Sequence, residues 1–322
     1  MRCEYCRIRN SNLTKPELKP NEWKEVFEIL KSLNVEFNLI LGNEPLLLGD
    51  GFVDIVDYMN KHNHPYAMYT TFPQPLWQNY REKLLNVGIK NLSCGVDMLH
   101  FVDAPSLDVY LKSIRGIEAL SWSKNQGVPD YQGTITVNKK NLPQVVNIVE
   151  ELSRRGIWSV LNVVHWAKDK YYDFFPTKEE IRDLVITEKE MPEFEKVVRT
   201  IQKGVQEGRY KMQNPPEFFD ALIKHSVNLD WHCKNPLIYT VDADGSMRTC
   251  AYRQGPRSQK YSIFDLQNKE VLENFKEEWK VDRDECPGCL WSYWWMADFF
   301  KENDEQFGKE VFQKHASKYY GK

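Results

Sequence analysis

The sequence predicts an α/β fold: a parallel sheet built from strand–helix–strand units, followed by a small cysteine-rich module. Three observations point there. Between residues 21 and 164, short apolar runs alternate with helical stretches of ten or more residues, the pattern of βαβ units. Those runs are nearly continuous in apolar character, as in strands covered on both faces. Four of the seven cysteines then cluster after residue 230.

In chain order, Asn21 is expected to cap a first helix carrying Trp23, Val26, Phe27 and Leu30 on one face. Val35–Leu41 reads as a strand ending in Gly42-Asn43-Glu44-Pro45. A helix with Phe52, Ile55, Val56 and Met59 in register follows, then a strand over 66–71. Next come a helix over 76–85 closed by Gly88 and a strand over 91–96. A helix over 107–120 should face inward through Leu107, Leu111, Ile114 and Ile117. A strand over 134–137, a helix over 143–154 closed by Gly156 and a strand over 158–164 complete the series. The charged stretch 178–209 reads as the solvated faces of two helices. Pro215-Pro216 marks a break, and 290–318 reads as helical and aromatic.

Composition narrows the function classes. The 322 residues allow one large domain, or one plus a small one. A net charge of −3 argues against a broad nucleic-acid or anionic-membrane surface. No apolar run approaches the roughly 20 residues of a membrane span. With no signal-peptide pattern at its start, the chain is expected to be cytoplasmic.

Cysteine spacing carries the chemistry. Sixteen residues separate Cys233 from Cys250, thirty-five separate Cys250 from Cys286, and two separate Cys286 from Cys289. The first pair brackets two strand-like runs joined by Asp242-Ala-Asp-Gly245, a hairpin signal. A hairpin plus a Cys-x-x-Cys loop makes a four-thiolate site for zinc or an iron–sulfur cluster, and spacing does not separate the two. A disulfide pair is the plainer alternative, disfavoured for a cytosolic chain. Cys94 sits inside an apolar strand, where a buried free thiol is the common outcome. Asn43 in the Gly42–Pro45 turn tolerates positive φ, and Glu44 has the charge to take a ligand ammonium. His165 ends the last strand of the series and is a candidate proton acceptor or substrate contact.

Cys3-Glu-Tyr5-Cys6, Gly42-Asn43-Glu44-Pro45 and the far-end cysteines occur in an order that resembles the radical S-adenosylmethionine (SAM) superfamily. That family carries Cys-x-x-x-Cys-x-x-Cys with an aromatic residue before the last cysteine, a place Tyr5 fills. Its Gly-Gly-Glu-Pro motif differs here only at Asn43. Eleven residues lie between Cys233 and Gly245 and four between Gly245 and Cys250, similar to the family's auxiliary-cluster module. Trp295 and Phe299 stand where the larger SPASM version continues with cysteines, so the module resembles the short twitch version. The first cysteine of the N-terminal triad would fall two residues before Met1, and the family's first strand before that. Met1 is therefore expected to be an internal methionine of a longer protein.

The resemblance implies a partial (βα)6 TIM-like barrel lacking its first strand over residues 1–175, a helical connection over 176–230, and an auxiliary cluster module over 231–322. It implies SAM, a [4Fe–4S] cluster on Cys3 and Cys6 with an incomplete ligand set, and one auxiliary [4Fe–4S] cluster on Cys233, Cys250, Cys286 and Cys289. Tyr5 backbone would meet adenine, and Gly42, Asn43 and Glu44 the methionine amino group. Ser93 and Asp97 would reach ribose or carboxylate, Ile135 would pack on adenine, and Asn138 would reach ribose. Trp291, Tyr293, Trp294 and Trp295 would wrap the auxiliary cluster. The implied activity is reductive SAM cleavage, then hydrogen abstraction from a small molecule or a peptide. A two-electron oxidation would follow, with flavodoxin or ferredoxin as reductant. The competing expectation is a non-catalytic metalloprotein whose far-end site holds structural zinc or an electron-transfer cluster.

Overall fold

The structure is a computed structural model that describes residues 16–42, 44–98, 107–172, 175–234, 238–252 and 261–302. Cys3, Tyr5, Cys6 and Asn43 lie outside the described residues.

Helix α1 (Pro20–Ser32) begins one residue before the expected cap. Pro20 takes the first helical position, and Glu22 accepts from the Lys19 backbone N–H at 2.7 Å. Five parallel strands follow in simple sequential order, β1 (Asn38–Ile40), β2 (Tyr66–Tyr69), β3 (Asn91–Gly95), β4 (Asp130–Val137) and β5 (Trp158–Val163). Helices α2 (Asp50–Lys61), α3 (Leu76–Asn86), α4 (Leu107–Asn125) and α5 (Val145–Arg154) connect them. Residues 211–214 extend the sheet beyond β5: Met212 bridges Ser159 in parallel, and the Asn214 amide exchanges hydrogen bonds with Leu161 backbone. This parallel α/β sheet is compatible with a partial barrel.

Strand β4 starts four residues earlier than expected. Asp130 and Gln132 interrupt its apolar run, yet both are buried on the face opposite helices α4 and α5. Helix α4 also differs. Leu111 is exposed, and the inward side carries Lys112, Ser113, Gly116, Ile117 and Leu120. Gly116 lies against Cys94, and Ser113 Oγ accepts from the Asp97 and Met98 N–H groups. These contacts set the helix rotation, so Leu111 turns outward. The Leu107 side chain lies outside the described residues.

A Cβ added at Gly116 would stand 2.6 Å from Cys94 Sγ. Gly116→Ala should therefore cost about 1–3 kcal/mol through overpacking. Adding Cys94→Ala should remove most of that penalty, a coupling read from urea midpoints of the single and double variants. Simple additivity would contradict this contact.

The charged stretch 178–209 holds one α-helix, α6 (Met191–Gln206), preceded by turns, where two were expected. Helix α7 (Pro216–His225) starts at the double proline. The expected hairpin is present: β6 (Thr240–Val241) pairs antiparallel with β7 (Met247–Arg248). Gly245 takes the positive φ of its turn, at 81°. Helix α8 (Lys269–Asp284), capped by Asn268, fills the long gap before Cys286, and α9 (Ser292–Glu302) follows Cys289. No described helix is long and apolar enough to cross a membrane.

Candidate metal centre and the sheet face beside it

Four of the five cysteines among the described residues gather at one place. The Cys233 thiol hydrogen-bonds Cys289, and Cys250 is close enough to act on Cys233 electrostatically. Tyr172, in the connection after β5, brings in the fourth: its hydroxyl lies 3.4 Å from Cys286 Sγ and donates to the Gly288 carbonyl at 2.9 Å. Burial, then the charges of Cys286, Cys289 and Cys250, push the Tyr172 hydroxyl upward in pKa. None of the five described cysteines is joined in a disulfide.

Backbone contacts hold the loop. Cys289 N–H donates to the Trp231 carbonyl at 2.9 Å, making an isolated antiparallel bridge. Gly288 sits at φ 94°, and a Cβ there would stand 2.9 Å from the carbonyl oxygens of both Leu229 and Trp231. Only glycine satisfies both constraints. Lys168 Nζ donates to the Pro287 carbonyl at 2.5 Å and to Leu229 at 3.3 Å.

The two closest thiols are unequal. Its hydrogen bond to Cys289, then burial, raises the Cys233 pKa. Cys289 is held well below the usual thiol range, first by that same bond and then by His165. His165 Nε2 accepts from the Leu290 N–H at 3.1 Å. Cys94 differs from all of these: buried against α4, its thiol is pushed up to about 12.

Among the described residues, no three His, Cys, Asp or Glu groups converge as the ligands of one ion do. A tetrahedral zinc site would bring its sulfurs to about 3.8 Å from one another. A four-iron cluster gives each thiolate its own iron and needs its ligands spread apart. The donor set is soft and all-thiol, which suits either zinc or an iron–sulfur cluster.

The expected aromatic wrapping divides in two. Trp291 packs on His165 and Tyr252 with centroids 5.5 and 4.7 Å apart, and Trp294 also meets Tyr252. Tyr252 in turn stacks on Phe175. These rings line the cysteine side. Tyr293 and Trp295 point elsewhere: Trp295 packs on Phe218 of α7, and Tyr293 reaches the sheet.

The residues proposed for SAM lie mainly at the C-terminal ends of the strands, already tied into internal bonds. Glu44 accepts from Thr70 Oγ1 at 2.6 Å, Thr71 N–H at 2.8 Å, Thr71 Oγ1 at 2.7 Å and Leu46 N–H at 3.3 Å. Four donors saturate a carboxylate, so Glu44 locks the β1 end to the β2 end instead of offering a free ammonium site. Gly42 is exposed, with open space where a side chain would be. Asp97 pairs with Lys112 Nζ at 3.3 Å and accepts from Thr136 N–H at 2.8 Å. The Asn138 side chain caps the turn after β4, accepting from Lys140 and Asn141 and donating to Thr136. Ile135 shares a face with Gly133, which Leu152 of α5 covers, so it belongs to the helix-side core. Ser93 is fully buried on the opposite face, registered between Tyr69 and Gln132. His165 is enclosed by Phe175, Trp291 and Leu290, which makes it a partner of the cysteine loop.

Sequence reasoning passed over Tyr172, Lys168 and Lys112. No motif marks them; each acts across more than a dozen residues of chain, and only the fold brings it to its partner. Neither a protein-family model nor a curated protein matches this chain.

Proposed function

We propose that this chain is a radical SAM enzyme, with an auxiliary [4Fe–4S] cluster held by Cys233, Cys250, Cys286 and Cys289. The observation that carries the reading is the gathering of these four thiols around Tyr172, just past the C-terminal end of β5. In parallel α/β folds that end of the sheet is where ligands bind. The Gly42–Pro45 turn follows the same end of β1.

The described chain enters at that region too. Pro20 packs on Gly51 at the start of α2, directly after exposed Leu47 and Leu48, and Leu18 N–H donates to Ala243 of the hairpin turn. The first described residues therefore lie between the start of α2 and the β6–β7 hairpin. Cys3 and Cys6 would help to hold the SAM-binding cluster.

When bound, these groups supply one-electron reduction of SAM to a 5′-deoxyadenosyl radical and a second electron acceptor. The chain's own residues orient and seal. Glu44 fixes the turn after β1, and the Asp97–Lys112 pair fixes the end of β3. Trp291, Trp294 and Tyr252 exclude water from the thiols. The substrate is a small molecule or a peptide, and the reductant a flavodoxin- or ferredoxin-class protein.

The test is anaerobic assay of the reconstituted protein. With dithionite and SAM it should release 5′-deoxyadenosine at least about tenfold above the Cys6→Ala variant. Equal release from both would overturn the reading.

A further inference from the structure

Along the chain, the two sulfurs of Cys286-Pro-Gly-Cys289 stand closest together. The fold makes a different pair. Cys286 Sγ lies 3.4 Å from the Tyr172 hydroxyl. The Cys289 thiol is hydrogen-bonded to Cys233, far earlier in the sequence.

Two segments are clamped side by side to give this contact. Cys289 N–H donates at 2.9 Å to the carbonyl of Trp231, two residues before Cys233. Gly288, at φ 94°, lies against the carbonyl oxygens of Leu229 and Trp231. Lys168 Nζ ties the same segments together through the carbonyls of Pro287 and Leu229. All of these bonds come from the chain itself. Among the described residues no three His, Cys, Asp or Glu groups converge, whereas these two thiols are within hydrogen-bond reach of each other. Both are half-buried, so a small oxidant can reach them, while Cys94 is fully buried.

We propose that Cys233 and Cys289 form a reversible disulfide in the metal-free chain, making this pair a thiol–disulfide switch. The oxidant is a small disulfide of the glutathione class. Attack by one cysteine releases one glutathione thiol and leaves a mixed disulfide. The second cysteine then attacks the protein sulfur of that bond and releases the other glutathione. Each protein thiol gives up its proton, and each departing glutathione thiolate takes one. Two protein thiols are oxidised while one glutathione disulfide is reduced. The bond withdraws two of the four thiols from any metal, so oxidation and loading exclude each other. In a reducing compartment such bonds are transient and redox-sensing. The inference stands on the thiol positions and does not need the SAM reading.

Disulfide mapping of the full chain tests it. The protein is reduced, stripped of metal with a chelator, and equilibrated anaerobically across a series of oxidised-to-reduced glutathione ratios. Remaining thiols are alkylated, and linked peptides are identified by mass spectrometry. The 233–289 link should exceed the 286–289 link at least about tenfold and disappear with dithiothreitol. Cys286→Ser should keep the link. A predominant 286–289 link, or thiols that all stay reduced at the most oxidising ratio, would overturn the proposal. Both outcomes are read on the unsubstituted chain, so they hold even if the variant fails to fold.

Discussion

Replacing Lys112 with Met is expected to lower the unfolding free energy by about 3–5 kcal/mol, among the largest single-site losses in this chain. Asp97 is 1% exposed and Lys112 8%. The ammonium sits 3.3 Å from Asp97 Oδ2, over Gly95, where the lack of a side chain leaves room for it. Met fills a similar volume but strands a carboxylate in the interior. Its other oxygen accepts from Thr136 N–H, and its own carbonyl accepts from Asn141, so Asp97 has no route to water. The Lys112→Met/Asp97→Asn double variant should recover most of the loss, since removing both charges is far less costly than removing one. Urea midpoints of the three variants measure this. A single-variant loss below about 1 kcal/mol would contradict it.

The second large effect concerns the thiols. Cys286→Ala should remove about four irons per chain after anaerobic reconstitution, because one thiolate of the cluster is gone. Cys94→Ala should remove none, since Cys94 faces α4 with its thiol pushed up to about 12. If the two variants retain equal iron, the far-end cysteines are not the ligands. Under the proposed function, the Cys286 variant should still cleave SAM while losing net substrate oxidation.

Much of the fold was legible in the sequence. The five strands, the helices between them and the Asp-Gly hairpin all form near their expected positions, because hydrophobic period and turn residues mark each one locally. What escaped has a common cause. The early start of β4 is hidden by Asp130 and Gln132, polar residues that the fold buries. The rotation of α4 is set by Gly116 on Cys94 and Ser113 on Asp97, contacts between elements. Within the site, no motif marked Tyr172 as a neighbour of Cys286 or His165 as the acceptor of the Leu290 N–H. Residues expected to meet a ligand, Glu44, Asn138 and Asp97, instead spend their polar atoms on joining strand ends. A strand-end polar residue reads the same in sequence whether it faces a ligand or a neighbouring loop. Tyr293 shows the converse: expected to wrap the thiols, it reaches across to Tyr69 and Gln132.

The most direct test of the central claim is the iron, zinc and acid-labile sulfide content of the chain after anaerobic reconstitution. The account predicts at least about four irons with matching sulfide, retained in Cys94→Ala and lost in Cys286→Ala, and about eight where the N-terminal cluster also forms. Roughly one zinc per chain with no sulfide would contradict it and leave a structural metal site in its place.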